Sequence, residues 1–466
     1  MVAPNQIRIL CFLDTDTGRD VEILLPLVYV AEKYFNCMVD FAFIWDIHAI
    51  YRKKPDLVLL PNTIGSVRHY QAAKYAYDNG IKVFALISEG NFRTDGSFDY
   101  WGYNKDKIFF QEFICHWSER TWKFLRMKEP DFAAKMVITG GTGFDRYKIY
   151  KFQSRDEFLK QHNLPGFEKI IAYAGWAFGK LYNEQGRMEL IANNFTEEKF
   201  PWLEQQMYLI EEILREAILK NPDILFVLKR HPNEANPSIT DPGMNEMIRL
   251  QDYPNVLYLT QNEPIHDIIS ISDIWTGFET TTSIESWVMG QKPTLLINPD
   301  PNFSRDELHK GSVILNSLEE FQSCIEEFYS TGKIAAFHDQ DLEAFRKRFI
   351  EETAGFGDGL NHLRAAYYLK KVLAHITPGQ SRVKTSFKFL IMYLLMEIGK
   401  YFYIKSLFLK LPRFKKTTWI FDNFRLKRLP GTRSKYWSFL DRFHEDNNLH
   451  EVVLREENFE KFITGK

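Results

Sequence analysis

The sequence predicts an α/β protein with two doubly wound halves, each built on a parallel sheet, followed by a basic and aromatic helical extension. Three observations predict this class. Short apolar runs alternate with amphipathic segments, which is the rhythm of βαβ units. The alternation pauses once, in a polar segment at 147–167 that contains Pro165 and Gly166. The length of 466 residues also exceeds that of one ordinary domain.

The first half contains five candidate strands joined by amphipathic helices. The strands are predicted at 7–13, 39–45, 57–60, 82–87 and 136–139, and the helices at 21–35, 66–79 and 118–127. These elements predict a Rossmann-like N-terminal domain over residues 1–150.

The second half repeats the rhythm without repeating the sequence. Its strands are predicted at 169–173, 224–228, 256–259, 273–277 and 294–297, and its helices at 201–220, 264–271, 283–289, 318–329 and 342–352. With a closing helix at 360–376, this gives a second Rossmann-like domain over 165–376. Two such domains facing each other form a cleft at the carboxyl ends of their strands, where doubly wound sheets bind ligands.

Charge is distributed unevenly along the chain. The formal net charge is −2, yet residues 382–435 contain fourteen Lys/Arg and two Asp/Glu, which leaves −14 for the rest. The four cysteines lie far apart without CxxC spacing, so they suggest neither a zinc site nor a disulfide framework. With neither a signal peptide nor an 18-residue apolar stretch evident, we expect a cytoplasmic protein.

The extension at 380–466 interleaves cations with aromatic side chains. This composition favours peripheral association of residues 382–435 with an anionic membrane surface, at the inner face of the cytoplasmic membrane. The alternative is a helical extension that packs on the N-terminal domain with its aromatic side chains in the core. Nucleic acid is not an expected partner, because the body is acidic and no RNA-binding motif is present.

Two loops of the second half have the chemistry of an anion site. Lys229, Arg230, His231 and Pro232 follow a predicted strand, and Arg and His both donate to phosphate oxygens. The alternative for this loop is a solvated basic turn in which His231 caps the next helix.

The second loop contains Thr280, Thr281, Thr282 and Ser283, which open a helix and offer hydroxyls and backbone N–H groups to an anion. One hydroxyl would suffice for an ordinary N-cap. Glu285, one turn inside, either accepts from ribose hydroxyls or complements the helix dipole. Gly175 and Lys180 follow the first strand of this half and are weaker candidates for close approach to a phosphate.

The first half offers further candidates for contact with a substrate. Glu89, with Gly90 and Asn91, follows a predicted strand and is placed as a general base, although a surface glutamate in a turn would show the same spacing. Arg19 is a candidate clamp for a substrate carboxylate. Asp14 and Asp16 form an Asp pair, but no other ligand cluster supports a metal, so no metal site is predicted.

Together these loops resemble GT-B glycosyltransferases, whose donor region the segments 272–283 and 290–293 and Glu285 resemble. The narrower resemblance is to bacterial surface-carbohydrate biosynthesis proteins related to CMP-Kdo and CMP-sialic acid transferases. His231-Pro232 looks like their HP motif, which binds the cytidine nucleotide. Thr282-Ser283 looks like their Ser/Thr motif, and Glu89-Gly90 is similar to the acidic–glycine motif that supplies the base. The run of three threonines and the single acidic residue depart from the common pattern.

The resemblance implies a glycosyltransferase that moves a CMP-activated acidic sugar (Kdo, sialic or another nonulosonic acid) from a nucleotide-sugar donor to a glycan or glycolipid acceptor. Glu89 would take the acceptor proton, and His231 with Arg230 would stabilise the departing phosphate. The resemblance implies no requirement for a metal or other cofactor. Two alternatives stay open. One is a CDP-glycerol-type polyol-phosphate transferase, and the other is a non-catalytic scaffold of glycan assembly.

Overall fold

The computed structural model describes residues 6–63, 66–88, 108–192, 195–260, 263–290, 292–303, 307–379, 383–385, 387–404 and 423–464. The chain divides into two compact units. Unit 1 comprises residues 1–150 and 351–466, and unit 2 comprises residues 151–350. Each unit contains one six-stranded parallel sheet.

The sheet of unit 1 has the order β2-β1-β3-β4-β5-β6. The strands are β1 (Arg8–Leu13), β2 (Met38–Phe43), β3 (Leu57–Leu60), β4 (Lys82–Ala85), β5 (Ile114–His116) and β6 (Met136–Ile138). The first helices of the unit are α1 (Arg19–Lys33), α2 (Ala49–Lys53), α3 (Val67–Asp78), α4 (Glu119–Lys128) and α5 (Arg146–Ile149). Every residue of β3 is buried, as expected of a parallel strand covered on both faces. The strand order reverses between β1 and β3, which makes this the switch point of the sheet.

The sheet of unit 2 has the order β12-β11-β10-β7-β8-β9 and reverses between β7 and β10. The strands are β7 (Lys169–Ala174), β8 (Ile224–Lys229), β9 (Val256–Leu259), β10 (Ile274–Gly277), β11 (Thr294–Ile297) and β12 (Val313–Leu315). The helices are α6 (Arg155–Gln161), α7 (Glu184–Ala192), α8 (Phe200–Lys220), α9 (Ile265–Ile271), α10 (Thr282–Gly290), α11 (Leu318–Thr331) and α12 (Gln340–Thr353). The last of these helices continues across the boundary of the unit.

The C-terminal residues return to unit 1. They form α13 (Asn361–Leu373), α14 (Phe387–Ile404), α15 (Leu429–Asp446), α16 (Leu449–Leu454) and α17 (Glu456–Thr464). Helices α13 and α15 both contact α1. The Tyr436 ring of α15 stacks on Tyr150 at a centroid distance of 4.2 Å, and its hydroxyl donates to the buried Glu22 carboxylate. Residues 429–464 are therefore an integral part of unit 1, as in the packed alternative for the extension.

The domain boundaries differ from the predicted ones at both ends of the second half. Residues 151–164 belong to unit 2, because α6 places Phe158 and Leu159 in the core of that unit. The predicted closing helix, observed as α13, belongs to unit 1. The Asp145 carboxylate of unit 1 accepts from the backbone N–H groups of Asn361 and His362, which ties the start of α13 to that unit.

The predicted strand rhythm is confirmed for ten strands, and each sheet has one further strand. These are β5 and β12, with three residues each. Both contain only short apolar runs and were not predicted, whereas β6, which also has three residues, was predicted at 136–139.

Helix α14 docks on unit 1 by one face. The Phe389 ring stacks on Tyr75 at 4.8 Å, and the Lys400 ammonium lies 3.2 Å from the Asp46 carboxylate. The other face exposes large apolar side chains, namely Phe387, Ile391, Met392, Leu394, Leu395 and Ile398. Among the described residues, no helix combines the length and apolar character needed to cross a membrane.

Candidate functional site

Three loops meet the carboxyl edge of the sheet in unit 2, at neighbouring strands. They follow β7, β8 and β10, which are adjacent in the order β10-β7-β8. These are the three loops in which the sequence placed its donor-binding candidates. The switch point between β7 and β10 is where doubly wound sheets bind ligands.

His231 follows β8 and has a defined tautomer in its neutral form. The backbone N–H of Asn233 donates to its Nδ1 at 3.1 Å, which leaves the ring proton on Nε2. Burial, and then the nearby ammonium groups of Lys180 and Lys229, lowers the pKa of His231 to about 4. The imidazole is therefore neutral at pH 7, and its Nε2–H can donate to a phosphate oxygen. His231 also caps the following turn, as the alternative interpretation expected, while phosphate binding by its Nε2–H stays a prediction.

The cations around His231 are held by carbonyls and carboxylates. The Arg230 guanidinium donates to the Thr260 carbonyl, and the buried Lys180 ammonium lies 3.0 Å from the Glu189 carboxylate. Lys229, also buried, lies 3.3 Å from Glu263. These pairs fix the positive charges at the edge of the sheet. Pro232 is exposed and begins a short 3₁₀ turn, which ends the strand geometry.

The four hydroxyl residues at the start of α10, Thr280 to Ser283, take different roles. The hydroxyls of Thr280 and Thr282 bond each other at 2.5 Å, and the Trp275 indole donates to Thr282. Thr281 is exposed, and Ser283 is buried with no hydrogen-bond partner for its Oγ among the described residues. One pair therefore builds the cap, while Thr281 and Ser283 are not used by it. Glu285 lies half-buried in the first turn.

Gly175 is required by the protein itself. A Cβ at this position would lie 2.3 Å from the Met247 side chain and 3.1 Å from the Lys229 carbonyl. The Gly175 N–H also donates to that carbonyl at 2.9 Å. The close approach at Gly175 is thus between the loop and β8, and contact of this residue with a phosphate stays a prediction.

Two buried glutamates that the sequence reasoning missed hold the loop after β7. The Glu234 carboxyl accepts from the Gly179 N–H at 2.9 Å, and the Glu246 carboxyl accepts from the Trp176 N–H at 2.9 Å. Both are fully buried. Burial, and then the charge of Glu246, raises the pKa of Glu234 to about 8, while burial raises the pKa of Glu246 to about 7. The position of Glu234, three residues after His231, was the one sequence signal for this role.

Aromatic rings line the same edge of unit 2. Trp176 lies 4.7 Å from Phe178 between ring centroids, and Phe178 lies 5.5 Å from Phe278. Trp176 is partly exposed, whereas both phenylalanines are fully buried. A partly exposed indole in the loop after β7 provides a surface on which a nucleobase can stack.

In unit 1 the predicted base and its neighbour, Glu89 and Asn91, lie outside the described residues. Arg19 is exposed at the start of α1, beside Asp14 and Asp20. The Asp pair does not act as a unit. The Asp16 carboxylate instead accepts two hydrogen bonds from the Arg428 guanidinium, at 2.8 and 3.0 Å.

Asp14 instead meets Asp20 and His69. One donor atom from each of the three lies within 4.8 Å of the other two, so that together they could hold a metal ion. Burial, and then the Asp14 carboxylate, raises the pKa of Asp20 to about 6, whereas burial lowers the pKa of His69 to about 4. The separation of Asp14 and His69 by 55 positions hid this cluster from spacing arguments.

Solved structures share this fold. The S. aureus MnaA–UDP co-structure has a TM-score of 0.51 and 14% identity, and the alignment covers 81% of this chain and 99% of that one. A UDP-N-acetylglucosamine 2-epimerase has a TM-score of 0.50 and 15% identity, with coverages of 82% and 99%. A variant of the wall teichoic acid polymerase TagF has a TM-score of 0.50 and 10% identity, with coverages of 80% and 90%. The fold is of the GT-B type.

This likeness confirms the predicted fold class, and at 10–15% identity it establishes the fold alone. No protein-family model matches the sequence, and no curated protein matches it either.

Proposed function

We propose that the chain is a nucleotide-sugar-dependent glycosyltransferase whose donor binds at the carboxyl edge of unit 2. The observation that carries the proposal is His231 at the end of β8. It is a neutral imidazole with its proton on Nε2, flanked by Lys180 and Lys229, on a strand next to the switch point. Thr281 at the start of α10 would add a hydroxyl to the same phosphate. Arg230 and Glu285 are retained as donor contacts, and Trp176 is the candidate for stacking on the base.

The proposed reaction is a displacement at the anomeric carbon of the donor. The acceptor oxygen forms a bond to that carbon, the bond to the phosphate oxygen breaks, and the nucleotide leaves with the electron pair. Glu89 would take the acceptor proton, while Arg19 and Asn91 would orient the acceptor. The Nε2–H of His231 and the positive charges near it would stabilise the negative charge that develops on the phosphate.

For the donor we propose a CMP-activated acidic sugar, on the strength of the His231-Pro232 and Thr282-Ser283 resemblance. A CDP-glycerol-type transfer would use the same phosphate contacts, so the nucleotide preference is the first quantity to measure. Thermal shift of the full chain with CMP, CDP, UDP and GDP should show stabilisation by the cytidine nucleotides. A preference for UDP would contradict the cytidine assignment. No stabilisation by any of the four would contradict the donor site and favour the scaffold role.

Variants separate binding from chemistry. Removing one hydrogen bond to a charged phosphate costs about 1.5–3 kcal/mol, so His231→Ala should weaken nucleotide binding about 10- to 150-fold. His375→Ala, which removes an exposed histidine of unit 1, is the control and should bind as the wild type does. Glu89→Gln should abolish transfer and keep nucleotide affinity. Transfer that survives in Glu89→Gln would place the base elsewhere.

We further propose that the acceptor is presented at an anionic membrane and that the exposed face of α14 contacts that surface. Leu394 and Leu395 are 62% and 56% exposed on this face, in the part of the chain with fourteen Lys/Arg and two Asp/Glu between 382 and 435. Apolar side chains that enter the interface next to cations are the pattern of a peripheral membrane helix.

Flotation with liposomes tests this contact. The wild type should float with vesicles that contain phosphatidylglycerol and much less with neutral vesicles. Leu394→Glu with Leu395→Glu should reduce flotation at least tenfold, since burying each leucine contributes about 1.5–3 kcal/mol. Leu219→Glu, at a leucine of unit 2 that is 53% exposed, is the control. The membrane assignment would be contradicted if the double variant floated as well as the wild type. It would also be contradicted if the wild type were a dimer that the double variant dissociates, because the exposed face of α14 would then be a contact between two copies of the chain.

A further inference from the structure

The switch point of the sheet in unit 1 also gathers polar side chains. The strand order reverses between β1 and β3, and ligands of doubly wound sheets bind outside that reversal. Asp14 is the first residue after β1, and Asp20 lies in the first turn of α1. His69 lies in the first turn of α3, the helix that follows β3. Strand topology alone therefore brings two carboxylates and an imidazole to one place.

The imidazole is buried and directed at the carboxylates. His69 is 2% exposed, and its Nδ1 bonds the Ser66 hydroxyl at 2.5 Å. Its Nε2 lies 3.9 Å from the Asp14 carboxylate, too far for a hydrogen bond, and has no hydrogen-bond partner among the described residues. The Oδ2 atom of Asp20 is also buried without such a partner there. The carboxyl groups of Asp14 and Asp20 also share a hydrogen bond, so the imidazole Nε2 is the atom of this cluster that most needs a partner. A buried polar atom without a partner is costly, and its presence beside two carboxyl groups indicates a ligand.

We propose that Asp14, Asp20 and His69 bind a divalent transition-metal cation, of the class of Mn²⁺ or Zn²⁺. Their donor atoms lie within 4.8 Å of one another. Ligands of a tetrahedral ion at about 2.1 Å are about 3.4 Å apart, so completing the site requires side-chain movement of up to about 1.4 Å. The Asp14 side chain is 53% exposed, so its carboxylate can move towards the other two ligands.

The donor set determines the class of ion. Imidazole nitrogen with two carboxylates suits Mn²⁺, Zn²⁺ and related metals, whereas Mg²⁺ and Ca²⁺ prefer oxygen ligands alone. The Ser66 bond to Nδ1 fixes the ring and leaves Nε2 for the metal, as second-shell partners of ligating histidines do. Arg19 is the neighbouring cation that competes for Asp14. The ion would reach solvent on the Asp14 side, where positions are available for an oxygen ligand of a substrate.

This site goes beyond the proposed function and does not rest on it, because cation binding is measured without a nucleotide. The full chain, stripped with a chelator, is titrated with Mn²⁺ while the free aquo-ion signal is followed by electron paramagnetic resonance. We expect one bound Mn²⁺ per chain. Zn²⁺ should displace it, whereas Mg²⁺ at the same concentration should not. Asp14→Asn should weaken Mn²⁺ binding at least tenfold, and because Asp14 is exposed this variant should fold. Asp78→Asn, an exposed aspartate of α3, is the control and should bind as the wild type does.

A spectroscopic signature identifies the imidazole. Bound Mn²⁺ should show coupling to a histidine nitrogen in electron spin echo envelope modulation, and His69→Gln should lose it. The proposal is overturned if the wild type binds neither Mn²⁺ nor Zn²⁺ at millimolar concentration. It is equally overturned if Asp14→Asn binds Mn²⁺ as tightly as the wild type, or if the nitrogen coupling is absent from the wild-type complex.

Discussion

Glu234→Gln is the substitution whose effect follows most directly from the structure. Glu234 is fully buried, and burial with the Glu246 charge raises its pKa to about 8 from an ordinary value of 4.5. Between pH 6 and pH 8 this carboxyl is ionised in the unfolded chain. In the folded chain it stays mostly protonated and becomes half-ionised only near pH 8. The folded state then binds more protons than the unfolded state, so the free energy of unfolding must fall as the pH rises.

The magnitude follows from the same pKa. One proton changes the free energy of unfolding by about 1.4 kcal/mol per pH unit, which over this range amounts to about 2 kcal/mol once partial ionisation near pH 8 is included. Glutamine does not titrate and still offers an oxygen to the Gly179 N–H. The unfolding free energy of Glu234→Gln should therefore fall by about 2 kcal/mol less than that of the wild type between pH 6 and pH 8.

Urea unfolding of the full chain at the two pH values measures this difference. Glu212→Gln, at an exposed position of α8 in the same unit, is the control and should leave the pH dependence unchanged. Equal pH dependence in Glu234→Gln and the wild type would refute the reasoning. The reasoning would also be refuted if Glu234→Gln were destabilised relative to the wild type by more at pH 8 than at pH 6, because the predicted change has the opposite sign.

Two further predictions concern unit 1. Gly140 has a φ of +79°, and a Cβ there would lie 1.8 Å from the Asn361 side chain, so Gly140→Ala should cost about 2–4 kcal/mol of unfolding free energy. Gly431→Ala, in α15 with open space around the site, should be neutral or stabilising by up to about 1 kcal/mol, and an equal loss in both variants would contradict the packing argument. Burial raises the pKa of Asp16, but its bonds to Arg428 outweigh burial and lower the pKa below 3.8. Asp16→Asn should therefore cost about 1 kcal/mol at pH 7, and chemical unfolding in acid should show this cost shrinking as the pH falls below the ordinary carboxyl pKa and through the lowered pKa of the folded state.

The sequence predicted the parallel strands because buried strands in doubly wound sheets are continuous apolar runs. The edges of the units were harder to predict. Residues 351–376 continue the helical rhythm of the second half, yet Asp145 binds the start of α13 in unit 1. A boundary set by long-range hydrogen bonds leaves no mark in local composition.

The loops of the candidate site could be predicted because each one directly follows a predicted strand. His231 and the Thr280–Ser283 run follow strands, and the structure places both at one edge of one sheet. Glu234 and Glu246 were missed because their partners, the N–H groups of Gly179 and Trp176, lie 55 and 70 residues away. Spacing arguments link residues within an element, and these bonds link different elements.

Within the C-terminal extension, some helices pack in unit 1 and another exposes an apolar face. Its excess of cations suggested a separate appendage, yet Tyr436 and Leu440 of α15 are buried in unit 1. The exposed apolar side chains are concentrated on α14. Composition identified the segment as unusual, and side-chain exposure decides which helix is the membrane candidate.

A crystal structure of the full chain with a cytidine nucleotide tests the central claim most directly. The account predicts a phosphate within hydrogen-bond distance of His231 Nε2 and next to Thr281 at the start of α10. A nucleotide bound away from the β7, β8 and β10 edge, or no nucleotide at millimolar concentration, would contradict it.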